Sequence, residues 1–327
     1  MRYLYRRFGF YIVALWGAIT LNFAIPRLMP GNPAEAVYAA HYQQLQNNPA
    51  ALNQLEAALG ISHDPLPLQY WHYLLDLAHG DLGISFSYFP TPVITVVLQS
   101  LPWTLGLVGL AAIISFCVGT GIGILAAWRR GGFVDNVLPP LTLLAGSFPA
   151  FFLALLLLYF LAAVLGWFPI GHGYTPGARA SFSPSFILDV VDHAILPAAT
   201  VVIFSVGGWL LGMRNVMINI LSEDYISMAE ARGLSDARIM LGYAARNALL
   251  PQLTGFAMSL GFLVGGQILI EYVFTYPGVG SLLANAIGSE DYPLIQALLL
   301  IITVCVLLAN LLMDLLYVRL DPRTRAA

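Results

Sequence analysis

Six apolar segments, at residues 8–28, 101–127, 137–165, 194–213, 252–274 and 293–317, are each long enough to cross a hydrocarbon layer about 30 Å thick. Inside such a layer every backbone N–H and C=O must be paired within the protein, which leaves only helices and closed barrels. These runs are continuously apolar rather than alternating with a period of two, and that selects helices. Charge content agrees: 59% of the 327 residues are hydrophobic and 9% charged, against about 25% charged in soluble domains. The expected class is an all-α integral membrane protein with six transmembrane helices.

Arginine placement sets the orientation. All 14 Lys and Arg positions are arginines. Arg2, Arg6 and Arg7 precede the first span, and Arg129 and Arg130 follow the second. Arg214, Arg232, Arg238 and Arg246 lie between the fourth and fifth, and Arg319, Arg323 and Arg325 follow the sixth. Only Arg27 and Arg179 fall on the other side, so the positive-inside rule makes both termini cytoplasmic. The opening MRYLYRRFGFYIVALWGAITLNFAI has the basic start of a signal peptide, but its apolar run is too long and no small-x-small site follows closely. It is expected to remain as a first span. Cys117 and Cys305 both lie inside apolar runs, where unpaired packing roles are expected.

The expected organisation is a first membrane helix over 1–29, an outer cap over 30–100, a core over 101–320 and a tail over 321–327. The cap has no basic residue, carries Glu35, Glu56, Asp64, Asp76 and Asp81, and contains helix-like pieces at Asn53–Leu59 and Leu68–Ala78 with Gly60 and Gly80 as stops. Within the core lies the polar interval 214–251. There Ser222 can cap a helix with Glu223 and Asp224 in its first turn and Arg232 in its last, the arrangement that suits the helix dipole. Gly233 can supply the left-handed position that ends it. Ser235 can cap a second short helix holding Asp236 and Arg246, with Pro251 marking the entry to the next span. The expectation is helix, glycine, helix.

Asp224-Tyr225, Ala229-Glu230-Ala231-Arg232-Gly233-Leu234-Ser235 and Arg246-Asn247-Ala248-Leu249 through Pro251 resemble the cytoplasmic EAA loop of ABC importer permeases of the dipeptide, oligopeptide and nickel type. The strings Pro30-Gly31-Asn32-Pro33, Pro67-Leu68-Gln69-Tyr70-Trp71, Gly80-Asp81-Leu82-Gly83, Tyr276-Pro277-Gly278-Val279-Gly280 and Asp321-Pro322-Arg323 extend the likeness along the whole chain. Ser227 stands where the general motif has glutamate, Tyr243 where peptide permeases often have histidine, and Asn32 where aspartate is common.

The resemblance implies a type I importer core in the inner membrane whose loop docks in a groove of the ATP-binding subunit. Asp224, Tyr225, Ala229, Glu230, Ala231, Arg232, Gly233, Leu234, Arg246 and Asn247 are its coupling residues. It further implies a second permease subunit, in a heterodimer, one or two ATP-binding subunits that hold the ATP and magnesium, an external solute-binding protein, and no cofactor on this chain. Solutes of that family include peptides, nickel chelates, glutathione, opines and oligosaccharides. Nothing implies nucleic acid.

Other features carry weaker signals. Gly119, Gly121 and Gly123 lie mid-span without the strand and turn of a dinucleotide loop, so Gly119-xxx-Gly123 is read as close helix packing, as are Gly261, Gly265 and Gly266. Pro139, Pro140 and Pro149 are expected to kink or unwind the third span, either at the pathway or in a bent packing helix. Glu271 is either a pathway contact or a structural group holding the outer turn, since carboxylates within spans are functional candidates. Asp314 reads as an interfacial group. His72, Asp76 and His79 share one helical face, a metal-like pattern that a wet amphipathic helix also produces.

A P-loop needs lysine and none exists, so this chain is not expected to be an ATPase. Neither a GxSxG elbow nor HExxH occurs, which argues against an intramembrane hydrolase. A stand-alone secondary transporter would carry charges along a coupling-ion path, whereas the deep spans here are almost free of charge. Transport by the purified chain without partner subunits would separate these readings.

Overall fold

The computed structural model describes residues 2–28, 64–260 and 267–320. Over them the chain is helical between its loops, with one antiparallel bridge joining Ile84 and Pro92. The helices are α1 (Arg2–Leu28), α2 (Leu66–Ala78), α3 (Val93–Trp128), α4 (Phe133–Ser147) and α5 (Ala150–Leu157), the last continued by a π-helical stretch, Leu158–Val164. Then come α6 (Pro184–Leu221), α7 (Asp224–Ala231), the single turn α8 (Asp236–Arg238), a π-helical stretch Ile239–Ala245, and α9 (Arg246–Leu260). The last three are α10 (Ile268–Val273), α11 (Val279–Gly288) and α12 (Tyr292–Leu320).

Phe8–Ile25, Val93–Trp128, Pro184–Leu221 and Tyr292–Leu311 are each long and apolar enough to span alone, and α4 with the α5 segment passes the same measure only as a pair bent by 98°, the geometry of a broken span or a re-entrant loop. The fifth expected span in chain order, 252–274, is divided between α9 and α10, and residues 261–266, with Gly261, Gly265 and Gly266, lie outside the described residues. Asn32, the Asn53–Leu59 segment and the 321–327 tail also lie outside them. The helices outrun the apolar windows. At 1.5 Å per residue the 38-residue α6 is about 57 Å long, well beyond a hydrocarbon thickness.

Proline explains the bend. Phe148 is extended (φ −89°, ψ 144°), as a residue before proline prefers, and Pro149 then opens α5 as its N-cap. Pro139 and Pro140, expected to kink the span as well, lie inside α4 without breaking it.

The chain divides into two compact units, Met1–Trp103 with Pro277–Ala327, and Thr104–Tyr276. In the first, α1 packs along α12, and Asn22 Nδ2 donates to the Gln296 carbonyl at 2.6 Å. Phe23 stacks edge-on with Tyr70 at 5.1 Å, which brings α2 against α1. Gly80 (φ 77°) closes α2 where the sequence expects a stop. Asp291 is fully buried at the head of α12 and accepts from Ser85 Oγ, from Ser87 N at 2.9 Å and from Leu294 N at 3.2 Å. Neutral donors thus satisfy this carboxylate, and they tie the loop before α3 to α12.

In the second unit, α3 and α6 meet through glycine. A Cβ on Gly119 would lie 2.6 Å from Trp209 Cβ, and one on Gly123 would lie 2.6 Å from the Leu210 carbonyl. The two backbones therefore touch, as the Gly119-xxx-Gly123 spacing predicts. Phe116, Trp209 and Phe256 form an aromatic cluster beside this contact, with centroids 4.5 to 5.9 Å apart. Asp135, in the first turn of α4, accepts the Gly131 N–H at 2.9 Å and pairs with Arg214 of α6 through Nε and, at 3.1 Å, through Nη2.

Candidate functional site

Helix α7 is built to be held on one side. Ile226 and Ala229 are 2% and 3% exposed and join a core with Ala127, Met213, Met217, Ile239, Ala244, Ala245 and Ala248. Its other face is bare: Met228 is 65% exposed, and Asp224, Tyr225, Glu230, Ala231 and Arg232 are also exposed. Tyr225 curls back, its hydroxyl accepting from Asn247 Nδ2 at 3.1 Å, so one polar bond to α9 adds to the apolar seat of α7.

Gly233 ends the helix as expected. Its φ of 72° is left-handed, its N–H donates to Glu230 O at 2.8 Å, and Leu234 N donates to Ala229 O at 3.3 Å, the paired closure of a glycine C-cap. Other details differ from expectation. Ser222 does not cap α7; its hydroxyl donates to Asn219 O at 2.7 Å and closes α6, while Glu223, extended at ψ 146°, takes the N-cap position. Ser235 stands at the N-cap of α8 without a side-chain capping bond. The second helix is not short either: it runs on through the π-helical stretch and α9, so neither Arg246 nor Pro251 ends it. Ala229 turns inward, and its small size serves packing against this chain's own core. Arg246 is exposed and Leu234 half-buried.

The remaining candidates lie outside this loop, Pro149, Glu271 and Tyr276 in the second unit and His72 and His79 in the first. Pro149 is exposed at the break between α4 and α5. Glu271 is fully buried in α10, which packs on α5. Tyr276, past the end of α10, is buried beside it; burial, and then the Glu271 carboxylate, pushes its phenol up to about 12. His79 Nδ1 lies 2.7 Å from the Leu75 carbonyl and His72 Nδ1 lies 3.9 Å from an Asp64 oxygen. No group of three or more metal-ligating side chains converges among the described residues.

A cavity of about 420 Å³ opens between α3, α6 and α9, lined by Ser115, Ser205, Trp209, Gln252, Ser259 and Gln267 among apolar neighbours. No motif in the sequence marked these residues, nor the Asp135–Arg214 pair. The available signal for the pair was that Asp135 is the only carboxylate between Asp81 and Asp189.

The model of the binding-protein-dependent transport system inner membrane component family matches residues 119–326. The chain belongs to that family of transport permeases. A probable peptide ABC transporter permease of Sinorhizobium fredii is 38% identical over 93% of this chain and 92% of its own length. The di/tripeptide transport system permease DppB of Pseudomonas aeruginosa is 33% identical over 99% of both chains. The oligopeptide transport system permease AppB of Bacillus subtilis is 32% identical over 98% of both. The permease is thus a multi-pass inner-membrane component of an ABC importer, in a family whose ATPase is a separate subunit and whose partners include a binding protein.

Proposed function

We propose that this permease forms half of a translocation pathway for short peptides, paired with a second, related permease subunit in a heterodimer. One or two ATP-binding subunits drive it, and an external solute-binding protein delivers the cargo. Six spans place both termini in the cytoplasm, in line with the arginine distribution. ATP and magnesium belong to the partner subunits, and this chain binds no cofactor. The peptide cargo is supported by the relatives named above.

Docking belongs to the 214–251 interval. The observation that carries this is the two-sidedness of α7: Ile226 and Ala229 are locked into the core while Tyr225, Met228, Ala231 and Arg232 are offered outward. A short helix fixed so firmly can be pulled as one piece by a partner seated on its bare face. Asp224, Glu230 and Arg246 supply charge around that face, Tyr225 and Asn247 brace it, and Gly233 and Leu234 set the angle of the chain leaving it. Pro149 and Glu271 border the pathway, Pro149 by breaking the third span and Glu271 by holding α10; irregular backbone at membrane depth needs protein or water to cover it.

With Cys117 and Cys305 replaced by alanine, single cysteines at Met228 and Ala231 are expected to cross-link to the ATP-binding subunit in the assembled complex. Ala231→Trp is expected to lower transport and binding-protein-stimulated hydrolysis together by about tenfold, roughly 1.4 kcal/mol of lost docking. If neither cysteine cross-links and Ala231→Trp transports at the wild-type rate, the docking assignment fails.

A further inference from the structure

The cavity between α3, α6 and α9 has an unusual lining for a membrane span: hydroxyl, amide and indole groups, and no ionisable side chain. Gln252 is its most telling member. It is 9% exposed, yet neither its Oε1 nor its Nε2 makes a hydrogen bond to any described residue. Its amide is not among the polar groups sealed away without a partner, so Oε1 and Nε2 open onto the cavity, where a passing group can meet them. The fold makes room for it. A Cβ on Gly212 would come within 3.1 Å of both Gln252 Nε2 and Oε1, so the glycine lets the amide lie against α6. Trp209 packs edge-on against Phe116 at 5.2 Å, which fixes the indole wall.

We propose that this cavity is a station for the peptide backbone during translocation, with Gln252 as the residue that reads it. The inference rests on the peptide reading above and adds the recognition chemistry. A carboxamide offers one acceptor and two donors on one planar group, and a peptide bond offers one N–H and one C=O, so Gln252 pairs with any residue's main chain whatever its side chain. Ser205 supplies a further hydroxyl, and Trp209 supplies an apolar face, while the buried Ser115 hydroxyl donates to the Ala112 carbonyl. A volume of about 420 Å³ falls within the usual range for small-molecule sites and holds only a short segment at a time. The absence of charge from the lining fits a passage that must release what it holds: charged partners would bind one class of side chain too well.

The test uses the whole complex, with both permeases, the ATP-binding subunits and the binding protein, reconstituted into proteoliposomes. Uptake of radiolabelled di-, tri- and penta-alanine is measured, and the shortest peptide accumulated by the wild type is carried forward. Co-purification of all subunits with each variant establishes assembly. Gln252→Leu is expected to raise KM for that peptide about three- to tenfold, the loss of one or two neutral hydrogen bonds. Gln252→Asn, which keeps the amide on a shorter arm, is expected to lose less. Gln252→Glu is expected to shift the uptake ratio of lysine-containing over aspartate-containing tripeptides by about tenfold relative to wild type, a change in selectivity that a packing role would not produce. If the wild type accumulates no peptide, the peptide reading falls and this inference falls with it. If the wild type accumulates peptide and all three variants keep its KM and charge preference, the station is not at Gln252 while the peptide reading stands.

Discussion

Two short helices, one in each unit, are attached to their neighbours in opposite ways. Helix α7 has eight residues and buries Ile226 and Ala229 in an apolar core. Helix α2 has thirteen and buries none. What holds α2 is a line of polar and aromatic contacts: Tyr70 hydroxyl to Thr20 Oγ1 at 2.8 Å, Asn22 Nδ2 to Tyr73 hydroxyl at 3.4 Å, and the Phe23 ring against both tyrosines. Length does not decide which helix is the firmer. Each buried aliphatic side chain contributes about 1.5–3 kcal/mol, whereas a partly exposed neutral hydrogen bond adds about 0.5–1.5 kcal/mol. Segments with few buried apolar contacts occupy the low-stability end of a structure. A helix that relays force needs the first kind of attachment, and one that only has to follow a partner can use the second.

The contrast can be broken by substitution. Ile226→Ala should have the largest effect, costing about 3 kcal/mol through lost burial and a residual cavity. The melting temperature of the detergent-purified chain should fall, and amide exchange in α7 should rise towards that of α2. An unchanged exchange rate would mean that α7 is held by something other than its apolar face. Tyr70→Phe should cost about 1 kcal/mol, read as faster exchange confined to α2, with α7 unaffected. Tyr225→Phe removes only an exposed bond to Asn247 and should cost at most about 0.5 kcal/mol. A larger loss would make that polar tie, rather than the core, the principal attachment of α7.

Much of this was legible in the sequence, and the misses have physical causes. Gly233 was readable because a left-handed φ is costly for any other residue at a helix end, and Gly119-xxx-Gly123 because only absent side chains let two membrane helices touch. The cap was misplaced by one residue because Ser222 and Glu223 both suit helix ends, and only the backbone decides which helix Ser222 closes. Pro251 reads as a boundary in the sequence, yet it lies inside α9, and proline is tolerated inside membrane helices when neighbours re-satisfy the freed carbonyl. The resemblance implies Ala229 as a coupling residue, but its small side chain packs inward with Ile226 against this chain's own core. Gln252 and Ser205 carry no signal in the sequence, because single polar residues in an apolar run form no motif. The cavity they share forms only where α3, α6 and α9 pack, and these helices are distant in sequence.

The π-helical stretch Ile239–Ala245 lies between α7 and α9, the helix that carries Gln252. Wide turns of this kind arise when one residue is accommodated in an α-helix without breaking it, and each residue of an α-helix turns the chain by about 100°. The stretch therefore takes up one residue of length: deleting a single residue within it, Gly242 for instance, would let the helix run on regularly with Gln252 left close to its present direction. Deleting one residue from the regular helix between Arg246 and Gln252 would instead turn Gln252 by about 100° away from Trp209. The same change of length is thus absorbed in one segment and felt in full by the next.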